Sequence, residues 1–217
     1  MLYSGDMNVD EVRRLYNDEH LGAREIGERL HKTVWQVIKF MKKNGIKRRK
    51  CNETLRYVIS RQPKSFKKKT ILTNEETYLY QAGLMIYWGE GVKVRGTTVD
   101  LANSDPNMVK IFLSVLRNIY RVNEARLRVL LYCYANQNVE DLKRYWSNLL
   151  KIPLNQFIKP YVRSDYKVEK TNKMPFGVAH VRYNDTKLHW EITQDIAIMV
   201  SRLTSSWGGR VDKYTGL

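Results

Sequence analysis

A chain of 217 residues, 43% apolar and 11% aromatic, can bury a real core, which excludes a disordered polycation. It carries 38 Lys+Arg against 22 Asp+Glu, a net charge of +16, so a polyanion is the expected partner. Cys51 and Cys133 are too few for a disulfide framework or a four-ligand zinc site. The longest apolar stretch, Ala82 to Trp88, is too short to span a bilayer, and no signal peptide opens the chain. The expectation is a soluble, cytoplasmic, nucleoid-associated protein with no membrane partner.

The charge is unevenly placed. Residues 1–31 are net −3, residues 32–69 hold fourteen Lys+Arg against Glu53 alone, and the other 148 residues share +6. This reads as a DNA-binding module over 1–50, a basic linker over 51–72, a larger domain over 73–205 and a tail over 206–217. The run Arg61-Gln62-Pro63-Lys64-Ser65-Phe66-Lys67-Lys68-Lys69 suits a linker on a phosphate backbone, or a solvated spacer. On the first reading, replacing Lys67, Lys68 and Lys69 by Ala flattens the salt dependence of binding by about two to three units.

Three amphipathic helices fit the first module. Val9, Val12, Leu15 and Tyr16 share one face, and Ile26 and Leu30 another. Thr33 reads as the N-cap of a third helix carrying Val34, Val37, Ile38 and Met41, closed by Asn44-Gly45. Two short helices with a tight turn, the second basic, form a helix-turn-helix pattern. Ala23-Arg24-Glu25-Ile26-Gly27, followed by a Thr-headed basic helix, resembles the helix-turn-helix of resolvase- and invertase-type recombinases. In that docking mode Lys32, Thr33, Trp35, Gln36, Lys39 and Lys43 face the major groove, with Gln36 suited to adenine. Lys47, Arg48, Arg49 and Lys50 would follow a phosphate strand or enter the minor groove. A plain three-helix bundle with a solvated basic face is the other reading.

Further on, Thr73-Asn74-Glu75-Glu76 is a capping box for a helix through Trp88, closed by Gly89-Glu90-Gly91. A strand is expected over Val94 to Leu101, then a helix capped by Asp105 with Pro106 first. Arg126 to Ala135 alternates an apolar face with a basic-aromatic one that includes Arg126 and Arg128. A helix over Val139 to Lys151, an extended piece over Pro153 to Val162 and a polar loop over Lys167 to Pro175 follow. Val178 to Tyr183, Asn184-Asp185 and Lys187 to Ile192 read as a hairpin, and Thr193 as the cap of a last helix. The fold class is α+β: a three-helix module, a basic linker and a mixed α/β domain.

Tyr80-Gln81-Ala82-Gly83-Leu84 and Gly89-Glu90-Gly91 resemble the two halves of the LAGLIDADG motif of homing endonucleases. The chain is also similar to bacterial proteins with a helix-turn-helix and a Tyr-Trp-x-Glu-Gly motif, through Tyr87 to Lys93, Asn103 to Pro106, Tyr145-Trp146 and Leu188 to Ile192. The LAGLIDADG resemblance implies that Ala82, Gly83 and Gly89 pack two such helices together. It also implies that Glu90 holds Mg²⁺ or another divalent ion for phosphodiester hydrolysis and that Lys93 steadies phosphate charge. With one motif per chain, a cleaving unit is a homodimer. Two extra residues lie between the motif halves, and bulky Tyr87-Trp88 stand among them. A catalytically inactive transcriptional regulator on the same fold is therefore the alternative to a metal-dependent DNA endonuclease.

Other constellations are weaker. His20, His31, His180 and His189 lack metal-ligand spacing, and His180 and His189 fall across the expected hairpin as surface or sheet residues. Gly89 to Lys93 lacks P-loop spacing, and Asp165-Tyr166-Lys167 is a short nuclease-like fragment. Single-stranded nucleic acid on the Tyr-rich strand faces is a third reading.

Overall fold

The computed structural model describes residues 7–93, 98–164 and 174–206. The chain is mixed α+β and divides into two compact units, 1–63 and 64–217.

In the first unit, α1 (Val9–Arg13) is capped by the Asn8 side chain and continues as a wider π-turn over Arg14–Asp18. Helices α2 (Ala23–Leu30) and α3 (Val34–Lys43) follow. Thr33 caps α3 as expected, its hydroxyl accepting from the Gln36 amide at 3.2 Å. Val12, Leu15, Tyr16, Ile26, Val37, Met41 and Ile46 form one buried cluster, each worth roughly 1.5–3 kcal/mol of apolar burial. The α2–α3 turn is tight because Gly27 has no side chain: a Cβ there would lie 2.6 Å from the Lys32 carbonyl oxygen. His31 completes the turn in the left-handed region, and the Lys32 amide donates to the Gly27 carbonyl at 2.8 Å.

Residues 51–72 are not a linker. Cys51–Arg61 is a helix, α4, within the first unit. Arg61 pairs with Glu25 at 2.9 Å, and the His20 ring stacks on Tyr57 at 4.0 Å. Leu55, Val58 and Ile59 have helical spacing, which the surrounding charge conceals in the sequence. Residues 64–69 belong to the second unit. Phe66 is buried and bridges Val122, while the Lys67 and Lys69 amides donate to the Tyr120 and Ile119 carbonyls at 3.0 and 2.7 Å.

The second unit contains α5 (Asn74–Glu90), β1 (Thr98–Asn103), α6 (Pro106–Asn118), β2 (Leu127–Tyr134), α7 (Val139–Leu150), β3 (Tyr161–Arg163), β4 (Val178–Asn184) and α8 (Thr186–Ser206). Thr73 and Asp105 cap α5 and α6, as the sequence predicts. Pro153 to Val162 is not one extended piece but a 3-10 turn at Leu154–Gln156 leading into β3. Of the strand expected over Val94 to Leu101, residues 94–97 lie outside the described residues, as does most of the expected loop and the Asp165-Tyr166-Lys167 fragment.

The described strands form one sheet in the order β1-β4-β2-β3, with β4 antiparallel to both neighbours and β3 parallel to β2. Val99, Leu101, Val129, Leu131, Val181 and Tyr183 turn to one face. There they join Leu84, Phe112, Trp146 and Leu188 of the helices in a single buried cluster. The alternate strand residues turn to the other face and none belongs to that cluster.

The expected second hairpin strand is helical: Lys187 to Ile192 opens α8. Leu188, Ile192 and Ile196 recur every fourth residue and are all buried, so tertiary burial selects the helical period. The Asp185 carboxylate accepts from the Leu188 amide at 3.0 Å and starts the helix. Thr193 lies within α8 and donates to the His189 carbonyl at 3.0 Å, rather than capping a new helix. Among the described residues no helix is long and apolar enough to cross a membrane.

Candidate nucleic-acid interface and candidate metal ligand

Helix α3 buries Val37 and Met41 and leaves Thr33, Trp35, Gln36, Lys39 and Lys43 exposed; Lys32 is half-buried at its start. Trp35 is 66% exposed, and the Lys39 ammonium lies 4.8 Å from its ring centre one turn on. Gln36 is engaged locally: its Oε1 accepts from the Thr33 amide at 2.8 Å, so contact with a base requires leaving this capping box. Lys47, Arg48 and Lys50 are exposed beyond the helix.

Arg49 turns inward. Its guanidinium lies 4.1 Å from the Tyr16 ring and 5.1 Å from the Tyr57 ring, and Nη2 donates to the Leu21 carbonyl at 2.6 Å. It ties α4 to the three-helix core and is withdrawn from a phosphate strand.

The three lysines of the expected linker differ in availability. Lys67 is exposed. Lys68 lies 2.5 Å from Asp195, and Lys69 lies 2.6 Å from Glu76. Burial lowers the Lys68 pKa, but the Asp195 carboxylate and Tyr80 outweigh it and hold the ammonium above the ordinary lysine value. The Tyr120 hydroxyl donates to the other Asp195 oxygen at 2.7 Å, so this carboxylate fastens residues 64–69 to α8.

Glu90 and Lys93 are exposed beside the end of α5, where Gly91 caps the helix. Among the described residues no group of three or more His, Cys, Asp or Glu side chains could hold a metal ion. A carboxylate at a helix C-terminus, where backbone carbonyls add negative potential, suits a cation, but one carboxylate alone does not make a metal site. Gly83 does not lie on an open face. A Cβ there would sit 2.3 Å from Val115 Cγ2 of α6, so its small size serves packing within the domain. Ala82 and Gly89 are exposed instead, on a stripe with Tyr78, Met85 and Trp88.

Sequence reasoning missed one constellation on the outward sheet face. Asp100 of β1, 7% exposed, accepts from His180 Nδ1 at 3.0 Å and from Arg182 Nε at 2.7 Å, both on β4. His180 is thus a sheet residue as expected, while His189, on α8, is buried with Nε2 3.3 Å from the Val92 carbonyl. The available signal was the alternation of polar and apolar residues over Val178 to Asn184. Arg128, also outward, donates to the Ala125 and Leu127 carbonyls at 2.7 Å, and Arg126 reaches the Asn184 carbonyl.

Burial acts to raise the Asp100 carboxyl, but His180 and Arg182 outweigh it and hold its pKa below the ordinary aspartate value. A depressed carboxylate contributes stability above its unfolded-state pKa of about 3.9 that is lost as pH falls through the folded value. Asp100→Asn should therefore cost about 1–2 kcal/mol at neutral pH and show a shallower loss of stability below pH ~4 than the parent. Parallel acid denaturation curves for the two proteins would remove Asp100 as the source.

Compared with family models, with curated proteins and with solved structures, the chain matches none.

Proposed function

We propose that the chain is a sequence-specific duplex DNA-binding protein, with residues 23–43 acting as a helix-turn-helix and α3 entering the major groove. The observation that carries this reading is the exposure of Trp35, Gln36, Lys39 and Lys43 on one helix whose opposite face is buried, continued by Lys47 and Arg48. Lysines and Arg48 supply sequence-independent attraction to phosphate, and Gln36 supplies base readout once it leaves its capping box.

The larger unit is assigned to a LAGLIDADG-like domain that pairs two copies of the chain. The exposed stripe of α5 supports pairing, since Tyr78, Met85 and Trp88 are 72%, 44% and 41% exposed. Apolar side chains in such a row, with Ala82 and Gly89 between them, suit a close two-fold helix contact. Two copies of Glu90 would then approach at the ends of the paired helices and hold a divalent ion between them. When bound, that ion would supply Lewis-acid activation for phosphodiester hydrolysis. Glu90 itself provides the anionic ligand, and Lys93 faces the phosphate as a counter-charge.

The second reading is a catalytically inactive transcriptional regulator that uses the same dimer to extend its footprint. The two extra residues between the motif halves, with bulky Tyr87 and Trp88 among them, favour it. Incubation with randomised duplex DNA and Mg²⁺ or Mn²⁺, followed by separate assays for retained and cut DNA, distinguishes the two. For an endonuclease, Glu90→Gln removes metal-dependent cutting by at least about a hundredfold while affinity holds or rises, because repulsion from phosphate is relieved. For a regulator, the parent retains DNA and cuts none in either metal. Absence of retention at low salt would refute both.

A further inference from the structure

The outward face of the sheet carries a row of aromatic rings that the duplex-binding reading leaves unused. Tyr132 of β2 lies at the centre, with His180 of β4 at 4.4 Å and Tyr161 of β3 at 5.0 Å between ring centres. The row therefore crosses three adjacent strands. Its outer end, Tyr161, is 56% exposed. Arg128 and Arg182 stand in register with each other on β2 and β4 beside it, and Arg163 follows Tyr161 on β3.

The charge of this face is positive for a specific reason. Asp100 is the one acid among the described outward-facing strand residues, and both its oxygens are taken by His180 and Arg182. The unit as a whole, residues 64–217, holds 24 Lys+Arg against 14 acids. A polyanion is thus drawn to a surface whose most exposed apolar feature is the Tyr161 ring.

We infer that this sheet face binds a single-stranded nucleic acid, with an unpaired base stacking on Tyr161, the exposed end of a row that Tyr132 and the largely buried His180 hold in place, and the phosphates running past the flanking arginines. Duplex DNA is the poorer occupant, because its base faces are already stacked on one another and only base edges reach a protein surface. Stacking needs a ring plane and tolerates any base, so recognition here is of an unpaired strand rather than of a sequence. The inference rests on the nucleic-acid reading of the chain but not on the helix-turn-helix.

The test uses the full chain and three labelled probes: dT20, rU20 and a 20-base-pair duplex, followed by fluorescence anisotropy. Tyr161→Ala should weaken binding of the preferred single strand by about fivefold or more, the low end for loss of one stacking ring. Duplex affinity should stay within about twofold. Tyr161→Phe should restore strand binding, since the ring and not the hydroxyl is required. Preference for dT20 or for rU20 identifies the strand as DNA or RNA. Lys39→Ala should do the reverse, weakening the duplex and sparing the strand. Strand binding without duplex binding would leave this inference standing while removing the helix-turn-helix assignment. Failure of both strands to bind, or an unchanged strand affinity in a Tyr161→Ala protein of parental melting temperature, would overturn it.

Discussion

Gly83→Leu will destabilise the larger unit before it does anything to an assembly of two chains. Helices α5 and α6 approach so closely at this point that a Cβ on residue 83 would lie 2.3 Å from Val115 Cγ2 and 3.1 Å from Val115 Cβ. Val115 is itself buried among Phe112, Leu116 and Leu84, so it has nowhere to retreat. Overpacking of this kind costs about 1–3 kcal/mol and sometimes more, and a leucine with three further carbons belongs at the upper end. Urea denaturation should show the loss as a lower midpoint. Shrinking the neighbour should recover part of it: Gly83→Ala combined with Val115→Ala should be less destabilised than the two single effects added together. Ala82→Arg provides the contrast, because residue 82 is exposed; it should leave stability nearly unchanged and separate paired chains in sedimentation. A Gly83→Leu protein with parental stability would show that α5 and α6 are further apart than described.

Joint replacement of Lys39, Lys43, Lys47 and Arg48 by Ala should reduce duplex affinity by about a hundredfold or more at 0.15 M salt. The slope of log K against log salt should flatten by about three and a half units, each of the four phosphate contacts contributing roughly 0.9. All four side chains are exposed on or just beyond α3. The triple replacement of Lys67, Lys68 and Lys69 should flatten the slope by only about one unit, because it removes one exposed cation and two that are already paired. That variant should instead lose stability, since the nearly buried Asp195 then keeps Tyr120 as a partner but loses its counter-charge. Equal flattening in the two variants would mean that the Lys68 and Lys69 ion pairs open readily to receive phosphate, and the distinction between the two clusters would be lost.

Local chemistry made much of the chain legible from its residues. Thr33, Thr73 and Asp105 carry side chains that accept from the first free amides of a helix, and each caps the helix expected of it. The amphipathic rows of α2, α3, α6 and α7 repeat over enough turns to be unambiguous, and β2 was legible as a strand because Leu127, Val129, Leu131 and Cys133 alternate into the core. The exposed basic face of α3 could be read in advance for the same reason. Its buried positions are apolar, so the remaining ones must face outward.

What only tertiary structure decided were the places where period and partner compete. Leu188-His189-Trp190-Glu191-Ile192 alternates like a strand, yet Leu188, Ile192 and Ile196 are buried together, and packing against the core favours the fourfold spacing. The basic run over 61–69 looks solvated in sequence because three of its counter-charges, Glu25, Glu191 and Asp195, are distant along the chain and adjacent only in the fold. Gly83 appeared available to a second copy because a small residue declares that something approaches closely, but not what; the approach is made by Val115. The row Tyr161–Tyr132–His180 was equally hidden. Its members come from three strands, and strand order, unlike strand period, is set by which long-range pairings bury the most apolar surface.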